Sequence, residues 1–470
     1  MRIKKIEISK FKGFYDTCTI DLNNACKNLL VYGENGTGKS SLFQALMLFL
    51  ESDANSLTFG DYRNIFAPGA DGHIRLTMRD GSSSGDHTYE WSPGLRETGE
   101  SLILDANKAK GFLDYKSLLE TYFLHHKQDT VNLFDLLINN LLANSVNDIT
   151  GETFLKDWTD LQAFRSKKAT KANQALFETK REQFNQGLTA KLTDLQTGAS
   201  EILKAFEYDL ELSFRFNGIG YNYADPVSER KITGQEIILQ VKFRKHSLRR
   251  HHVFLNEAKL SAIALAIYLA SVLLIPTPQL KLLVLDDVLI GLDMSNRLPI
   301  LGVLENFFRD HQTVITTYDR QWYEMVRLRT QDADWKYIEF YRGRLEDFEM
   351  PILKDAQSYL DKAREHLNSK DYKACAVYIR TAFEETLKKL AARKKLKIAY
   401  TETPEKLTSQ DFWDVCSSLL QPTTIAQIET YRKFVMNPLS HSQLVNIYEQ
   451  ELDDAITAVD NLRTEIQGIR

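Results

Sequence analysis

With 470 residues, 43% hydrophobic and 26% charged, the chain is long enough for two or three folding units, or for one large nucleotide-binding domain with an appendage. Its formal net charge of -4 excludes a nucleic-acid binder that uses its whole surface, although a local basic stripe stays open. The start MRIKKIEISK lacks the apolar stretch of a secretory signal, so a cytoplasmic protein is expected, and Cys18, Cys26, Cys375 and Cys416 form no CxxC pair that would point to zinc or a disulfide framework.

The first strong signal is NLLVYGENGTGKSSLFQALMLFL, in which an apolar strand (Leu29–Tyr32) runs into Gly33-x4-Gly38-Lys39-Ser40 and then a helix. That is the context a P-loop requires, and a chance glycine-rich turn would have to supply strand, spacing and helix together. Gly33, Gly36 and Gly38 let the backbone wrap phosphates with its N–H groups pointing inward, and the helix N-terminus adds partial positive charge. Lys39 would reach the terminal phosphates, and the Ser40 hydroxyl would ligate Mg²⁺. Further on, His125 and His126 in YFLHHKQDTV lack a metal-ligand arrangement.

From Glu152 to about Tyr208 the pattern is helical and polar, with apolar positions at Phe154, Trp158, Leu161, Leu176, Phe184, Leu188, Leu192 and Leu195. Gly187 is a candidate turn, which predicts a hairpin with arms of about 25 residues, each reaching about 40 Å. Such arms are too short for a long coiled coil that entraps DNA. Strand-like pieces follow at DLELSFRFNG and EIILQVKFRK. The stretch KFRKHSLRRHH carries Lys242, Arg244, Lys245, Arg249 and Arg250, and reads either as a solvated edge strand or as a site for an anionic partner.

The apolar run Ala262–Ile275 has 14 residues, short of the about 20 needed to span a membrane, so it is expected to be a buried helix. The polar head before it, LNEAK, is either the cap of that helix at Asn256 or the front edge of a site. Then QLKLLVLDDVLIGLD places Asp286 and Asp287 at the end of an apolar strand, where a P-loop protein holds its metal carboxylate. Asp286 would hold Mg²⁺ through water, while Asp287 points elsewhere and could orient or deprotonate the attacking water. The piece KYIEFYRGRLEDFEM should close the domain. After Pro351 the composition turns helical, with almost no glycine.

These motifs, in this order and with RIKKIEISKFKGFYDTCTIDL before them, resemble the RecF and SMC branch of ABC-type ATPases over roughly residues 1 to 345. The resemblance implies an α/β fold: an ABC-type P-loop ATPase head in two lobes, interrupted by a short helical-hairpin insertion and followed by an all-helical C-terminal domain. It divides the chain into residues 1–151 (P-loop and Q-loop half), 152–208 (hairpin), 209–350 (signature, acidic strand and D-loop half) and 351–470 (helical interaction domain). It implies ATP and Mg²⁺ as cofactors, with two ATP molecules sandwiched between two copies. One copy contributes Gly33, Asn35, Gly36, Thr37, Gly38, Lys39, Ser40 and Ser41, and the other contributes a signature turn from Leu255 to Lys259, with Asn256 and Glu257 at the phosphate. Gln128 matches the glutamine loop that senses Mg²⁺ and water, and Asp293 the D-loop at the interface. Two departures bear on turnover: Asn256-Glu257-Ala258 replaces a serine and a glycine-containing pair, and Tyr318 stands where a switch histidine is common. A tyrosine hydroxyl hydrogen-bonds phosphate but carries no charge at neutral pH.

Within that branch, the short arms and helical C-terminus resemble most the AriA family, the ATPases of PARIS anti-phage systems, with the Septu ATPase as a near neighbour. That resemblance implies a homo-oligomer of ATP-sandwich dimers that sequesters a TOPRIM-type nuclease and releases it on sensing a phage trigger protein that mimics DNA. The competing class is a RecF-like repair ATPase that binds DNA directly, which the C-terminal bundle disfavours. A scaffold that binds ATP and barely hydrolyses it is a third outcome. The C-terminal AVYIRTAFEETLK and YRKFVMNPLSH faintly resemble HEPN ribonuclease bundles, but Arg432 and His441 are spaced too far apart and Pro438 intervenes, which favours an interaction bundle. No membrane partner is expected.

Overall fold

The computed structural model describes residues 1–55, 57–80, 85–95, 100–109, 111–121, 129–164, 170–222, 231–276, 278–292, 297–330, 334–345, 348–355, 359–398, 407–436 and 449–469. They divide into two compact units: Met1–Arg320 with Phe340–Ile352, and Gln321–Glu339 with Leu353–Arg470. The division differs from a boundary at residue 350, because Gln321–Glu339 folds with the C-terminal residues.

The first unit holds β3, β6, β13 and β14 and, of β15 and β16, residues 340–345 and 348–352, in a six-stranded sheet of order β16-β15-β3-β14-β13-β6. Its members are β3 (Asn28–Gly33), β6 (Gly111–Asp114), β13 (Leu282–Asp286), β14 (Gln312–Thr317), β15 (Trp335–Leu345) and β16 (Phe348–Asp355). The pairs β3–β14, β14–β13 and β13–β6 are parallel. Every residue of β13 and β14 is buried, which is why these strands read as unbroken apolar or small runs rather than alternating ones. A second sheet, β2-β1-β4-β5, is antiparallel: β1 (Arg2–Ser9), β2 (Cys18–Asp21), β4 (His73–Arg79) and β5 (Asp86–Trp91). Strand β4 alternates buried and half-buried positions, as expected of a strand with one face on a core. Gln312, fully buried at the start of β14, stitches the two sheets. Its Oε1 accepts from Ile3 N at 2.6 Å, and its Nε2 donates to the carbonyls of Ile3 (2.7 Å) and Lys27 (2.9 Å).

The insertion contains helices Phe154–Ala163 and Lys171–Ala205, of 10 and 35 residues, capped by Thr153 and Thr170. The arms are therefore unequal, and Gly187 lies inside the long helix rather than at a turn. Its hydrogen is needed for a different reason: a Cβ there would stand 1.9 Å from Asn147 Oδ1. Phe184 packs edge-on against Phe154, at 6.1 Å between ring centroids. Strand-like pieces after it form β8 (Leu210–Phe216) and β11 (Ile237–Phe243), which pair antiparallel and join β7 (Val131–Asn132) and β12 (His246–Leu248), while β9 (Gly220–Asn222) and β10 (Lys231–Thr233) form a separate ribbon.

The basic stripe is the β11–β12 hairpin. Arg244 and Lys245 take the left-handed conformation at its turn (φ 49° and 66°). Lys242 pairs with Glu211 at 3.3 Å, and Arg249 and Arg250 share Asp129 at 3.7 and 3.8 Å. The apolar run resolves as the helix Glu257–Leu273, buried on nearly all sides. Among the described residues no helix is long and apolar enough to cross a membrane.

In the second unit, helices Tyr359–Asn368, Tyr372–Lys394, Ser409–Cys416, Pro422–Tyr431 and Glu449–Gly468 surround one core that includes Ile379, Phe383, Leu387, Trp413, Ile428 and Val459. Arg432 is 9% exposed, lies over the rings of Phe383 and Trp413 at 5.4 and 5.2 Å, and donates to Gln410 Oε1 at 2.7 Å. It is a packed arginine of the bundle core. His441 and Pro438 lie outside the described residues.

Candidate nucleotide-binding site

Strand β3 ends at Gly33, and helix α1 (Lys39–Asn55) begins where the loop ends. Gly36 and Gly38 have φ of +84° and +99°, a region that an L side chain enters only with strain. Gly33 is required by close approach, since a Cβ there would stand 2.3 Å from Thr37 Oγ1. The loop is drawn inward by its own side chains: Thr37 Oγ1 donates to the Glu34 carbonyl at 2.8 Å, and Lys39 Nζ donates to the carbonyls of Gly33 (2.7 Å) and Glu34 (3.2 Å). Lys39 is only 4% exposed.

Opposite the lysine stands Asp287, with its Oδ2 3.4 Å from Nζ. The ammonium thus has three acceptors for its three protons. Asp287 is the first residue past β13 and takes a left-handed φ of 54°, which turns its side chain away from that of Asp286 and toward the loop. Its Oδ1 accepts from Tyr318 N at 3.0 Å. Burial pushes the Asp287 carboxyl above the ordinary carboxylate range, Lys39 opposes this, and the neighbouring charge of Asp286 adds to it. Asp286, 6% exposed, accepts a hydrogen bond from Thr316 Oγ1 of β14, and its backbone lies level with Asp114 at the end of β6.

Ser40 is exposed at the head of α1, where its hydroxyl is open to a ligand. Ser41 is occupied differently, accepting from Gly13 N at 3.3 Å and so tying the loop after β1 to the P-loop. Asn35 and Gly36 are exposed, and the Asn35 carbonyl accepts from Arg342 Nη2 at 2.8 Å. That arginine of β15 was not legible as a site residue, because nothing in YRGR distinguishes it from a solvated strand cation. Tyr318 has its side chain 41% exposed and contributes its backbone N–H to Asp287.

Asn256 caps the Glu257–Leu273 helix, its Oδ1 accepting from Lys259 N at 3.2 Å. Glu257 accepts from Tyr115 Oη at 3.0 Å. Both residues make these contacts within their own neighbourhood rather than with the P-loop of the same chain. Gln128 and Asp293 lie outside the described residues. Among the described residues, no group of three or more His, Cys, Asp or Glu side chains is placed to hold a metal by itself. Mg²⁺ suits this donor set, since it is bound through one or two protein oxygens with water and phosphate supplying the rest.

A glycine-bent P-loop between a parallel strand and a helix, with a buried Asp286 and a half-buried Asp287 at the end of a nearby parallel strand, is the arrangement of an ABC-type P-loop ATPase head of the SMC kind. The chain belongs to the RecF/RecN/SMC N-terminal domain family, whose sequence model matches residues 2–331. Solved structures similar to it include an SMC head bound to the C-terminal winged-helix domain of ScpA (14% identity, TM-score 0.42, covering 77% of this chain and 100% of that one). Others are an SMC head with an extended coiled coil bound to the C-terminal domain of ScpA, from Pyrococcus furiosus (15%, 0.41, 79% and 99%), and the SMC head of Thermotoga maritima (12%, 0.35, 76% and 100%). No curated protein matches the chain significantly.

Proposed function

We propose that the chain binds ATP with Mg²⁺ at Gly33–Ser41 and hydrolyses it when a second copy presents its Asn256–Lys259 turn across the phosphates. The observation that carries this reading is the convergence of Lys39 and Asp287, 3.4 Å apart, on a loop whose glycines need positive φ. Mg²⁺ neutralises charge on the phosphate oxygens; Ser40 and Asp286 would hold it, with Gln128 assigned beside them by the resemblance. Asp287 serves as general base. A carboxylate whose pKa is lifted by burial takes a proton from water more readily near neutral pH than an exposed one. The Tyr318 hydroxyl is assigned a phosphate hydrogen bond, and Asp293 a place at the interface between copies.

The biological role proposed is that of a switch subunit in anti-phage defence: a homo-oligomer of ATP-sandwich dimers that holds a TOPRIM-type nuclease inactive and releases it on meeting an acidic, DNA-mimicking phage protein. Support comes from the short insertion and the helical C-terminal unit. The β11–β12 hairpin, whose turn residues Arg244 and Lys245 are exposed, suits an acidic protein. The same hairpin favours the second reading, a RecF-like ATPase that binds DNA itself.

The test is ATP turnover and solution mass with and without nucleotide. Lys39→Ala should abolish binding or hydrolysis, and Asn256→Arg should prevent nucleotide-dependent pairing while leaving the circular dichroism spectrum unchanged. Full hydrolysis in the Lys39 variant removes the assigned site. Tight DNA binding that falls steeply with salt replaces the switch reading with the repair one. Co-purification with the product of a neighbouring nuclease gene, weighed by native mass spectrometry, supports the switch.

A further inference from the structure

We propose that Arg297 is a positioning residue that couples the chain's own phosphate loop to the Asn256–Lys259 turn it presents to a second copy. The inference rests on the ATP-sandwich reading and adds how the two halves contributed by one chain are tied together.

Two loops leave the strand ends beside Lys39: one follows β13 from Asp287 to Leu292, and the other follows β14 with Tyr318 and Asp319. Arg297 joins them. Its side chain, 15% exposed, donates through Nε to the Leu292 carbonyl, through Nη2 to the Ile290 carbonyl at 3.1 Å and through Nη1 to Asp319 Oδ2 at 2.5 Å. A guanidinium sends donors from three nitrogens in a fixed fork, whereas an ammonium meets three acceptors only where they crowd around a single atom.

The bonds on either side extend this link. Tyr318 donates its backbone N–H to Asp287 Oδ1 at 3.0 Å, and Asp287 Oδ2 stands 3.4 Å from Lys39 Nζ. Consecutive residues of one loop are thus gripped from two directions, Tyr318 by the acid that meets the lysine and Asp319 by Arg297. At the other end Gly291, between the two carbonyls that Arg297 holds, lies against the helix Glu257–Leu273. A Cβ on Gly291 would stand 2.4 Å from Ser261 Oγ and 3.9 Å from Glu257 Cγ. Ser261 and Leu292 are fully buried, so the contact lies in packed core, where a displacement on one side is passed on rather than absorbed. A terminal phosphate that draws Lys39 from Asp287 shifts the carboxylate and the Tyr318–Asp319 loop; Arg297 carries the shift to Ile290–Leu292, and Gly291 to the first turn of the helix. The Arg297–Asp319 pair is the link made by side chains at both ends, so substitution cuts it without altering the backbone.

The full chain tests this through ATP affinity, measured at protein concentrations too dilute for pairing, beside solution mass with and without ATP and phosphate release. Arg297→Lys keeps the charge and Asp319→Asn keeps the shape. Each should leave ATP affinity within about twofold while weakening ATP-dependent pairing and turnover about tenfold, the size of an ordinary coupling between sites. The double variant should lose no more than either single one, since both cut the same link. Should Arg297→Lys lower the unfolding midpoint, Asp319→Asn carries the test. Unchanged pairing and turnover in Asp319→Asn overturn the coupling and leave the ATP site and the sandwich intact. Equal losses of ATP affinity and pairing also overturn it, because the arginine then only supports the site, as does a loss of about a hundredfold in the double variant, the product of two independent effects. Absence of ATP-dependent pairing in wild type, with Asn256→Arg no different, overturns both the coupling and the sandwich reading.

Discussion

Replacing Asp287 separates the chemistry of its carboxylate from the backbone it holds. Its φ of 54° is tolerated by Asn and Asp but costs alanine about 1 kcal/mol. Its Oδ1 also accepts the Tyr318 N–H at 3.0 Å, and orphaning that amide costs about 1 to 2 kcal/mol. Asp287→Asn keeps both features. What it loses is the 3.4 Å contact with Lys39, whose ammonium retains the Gly33 and Glu34 carbonyls. Because burial, the dominant influence on this carboxyl, already works against its charge, the net loss of the pair should be small, within about 1 kcal/mol. Asp287→Ala should therefore be less stable than Asp287→Asn by about 2 kcal/mol, while both bind ATP and stall turnover. Denaturant unfolding of the two variants, beside phosphate release and nucleotide binding, measures each part. Coincident unfolding curves would refute the backbone argument, and near-wild-type turnover in Asp287→Asn would refute the general-base assignment.

Gly187→Ala should destabilise the first unit by about 2 kcal/mol, against the about 1 kcal/mol gain that Gly→Ala brings in an open helix. The added Cβ displaces the fully buried Asn147, which donates to Asp157 Oδ2 at 2.7 Å and accepts from Ile149 N at 3.1 Å; a raised unfolding midpoint would show the contact is not tight. His311 titrates at about 4, held below its ordinary 6.5 first by burial and then by Lys281. Its neutral form suits the fold, so its contribution is complete above pH 6.5 and is lost as pH falls toward 4. Each unit is worth about 1.4 kcal/mol, and its partial exposure reduces the total to about 2 kcal/mol. His311→Gln should flatten the stability profile between those limits, and an unchanged slope by calorimetry would place the titration elsewhere.

The parts of the site that could be read without coordinates are those whose chemistry is local. A loop that wraps phosphate needs its glycines, lysine and serine within eight residues, and a metal acid at a strand end announces itself by the apolar run before it. Leu29–Ser40 and Leu280–Asp287 met both conditions, and their strands and loop lie where that reading put them. Gly187 shows the opposite case. Glycine serves turns and close approaches alike, and only the partner, Asn147, forty residues away in sequence, decides between them. The expected pair of matched arms fails for the same reason, since the helix runs unbroken through Gly187 from Lys171 to Ala205.

Arg342, Gln312 and Pro351 were invisible for a related reason: each acts on a residue hundreds of positions away, and none belongs to a composition or period that marks it. Gln312 reads as an ordinary polar residue before a strand, yet its amide joins two sheets through Ile3 and Lys27. What unites the three is the sheet. The order β16-β15-β3-β14-β13-β6 brings the last strands of the first unit beside the first strand of the core, so the late residues Arg342 and Pro351 reach the P-loop at Asn35 and Gly38. The phosphate loop is thus completed by residues from the far end of its own unit, and changes to β15 and β16 should alter nucleotide affinity without touching the motif itself.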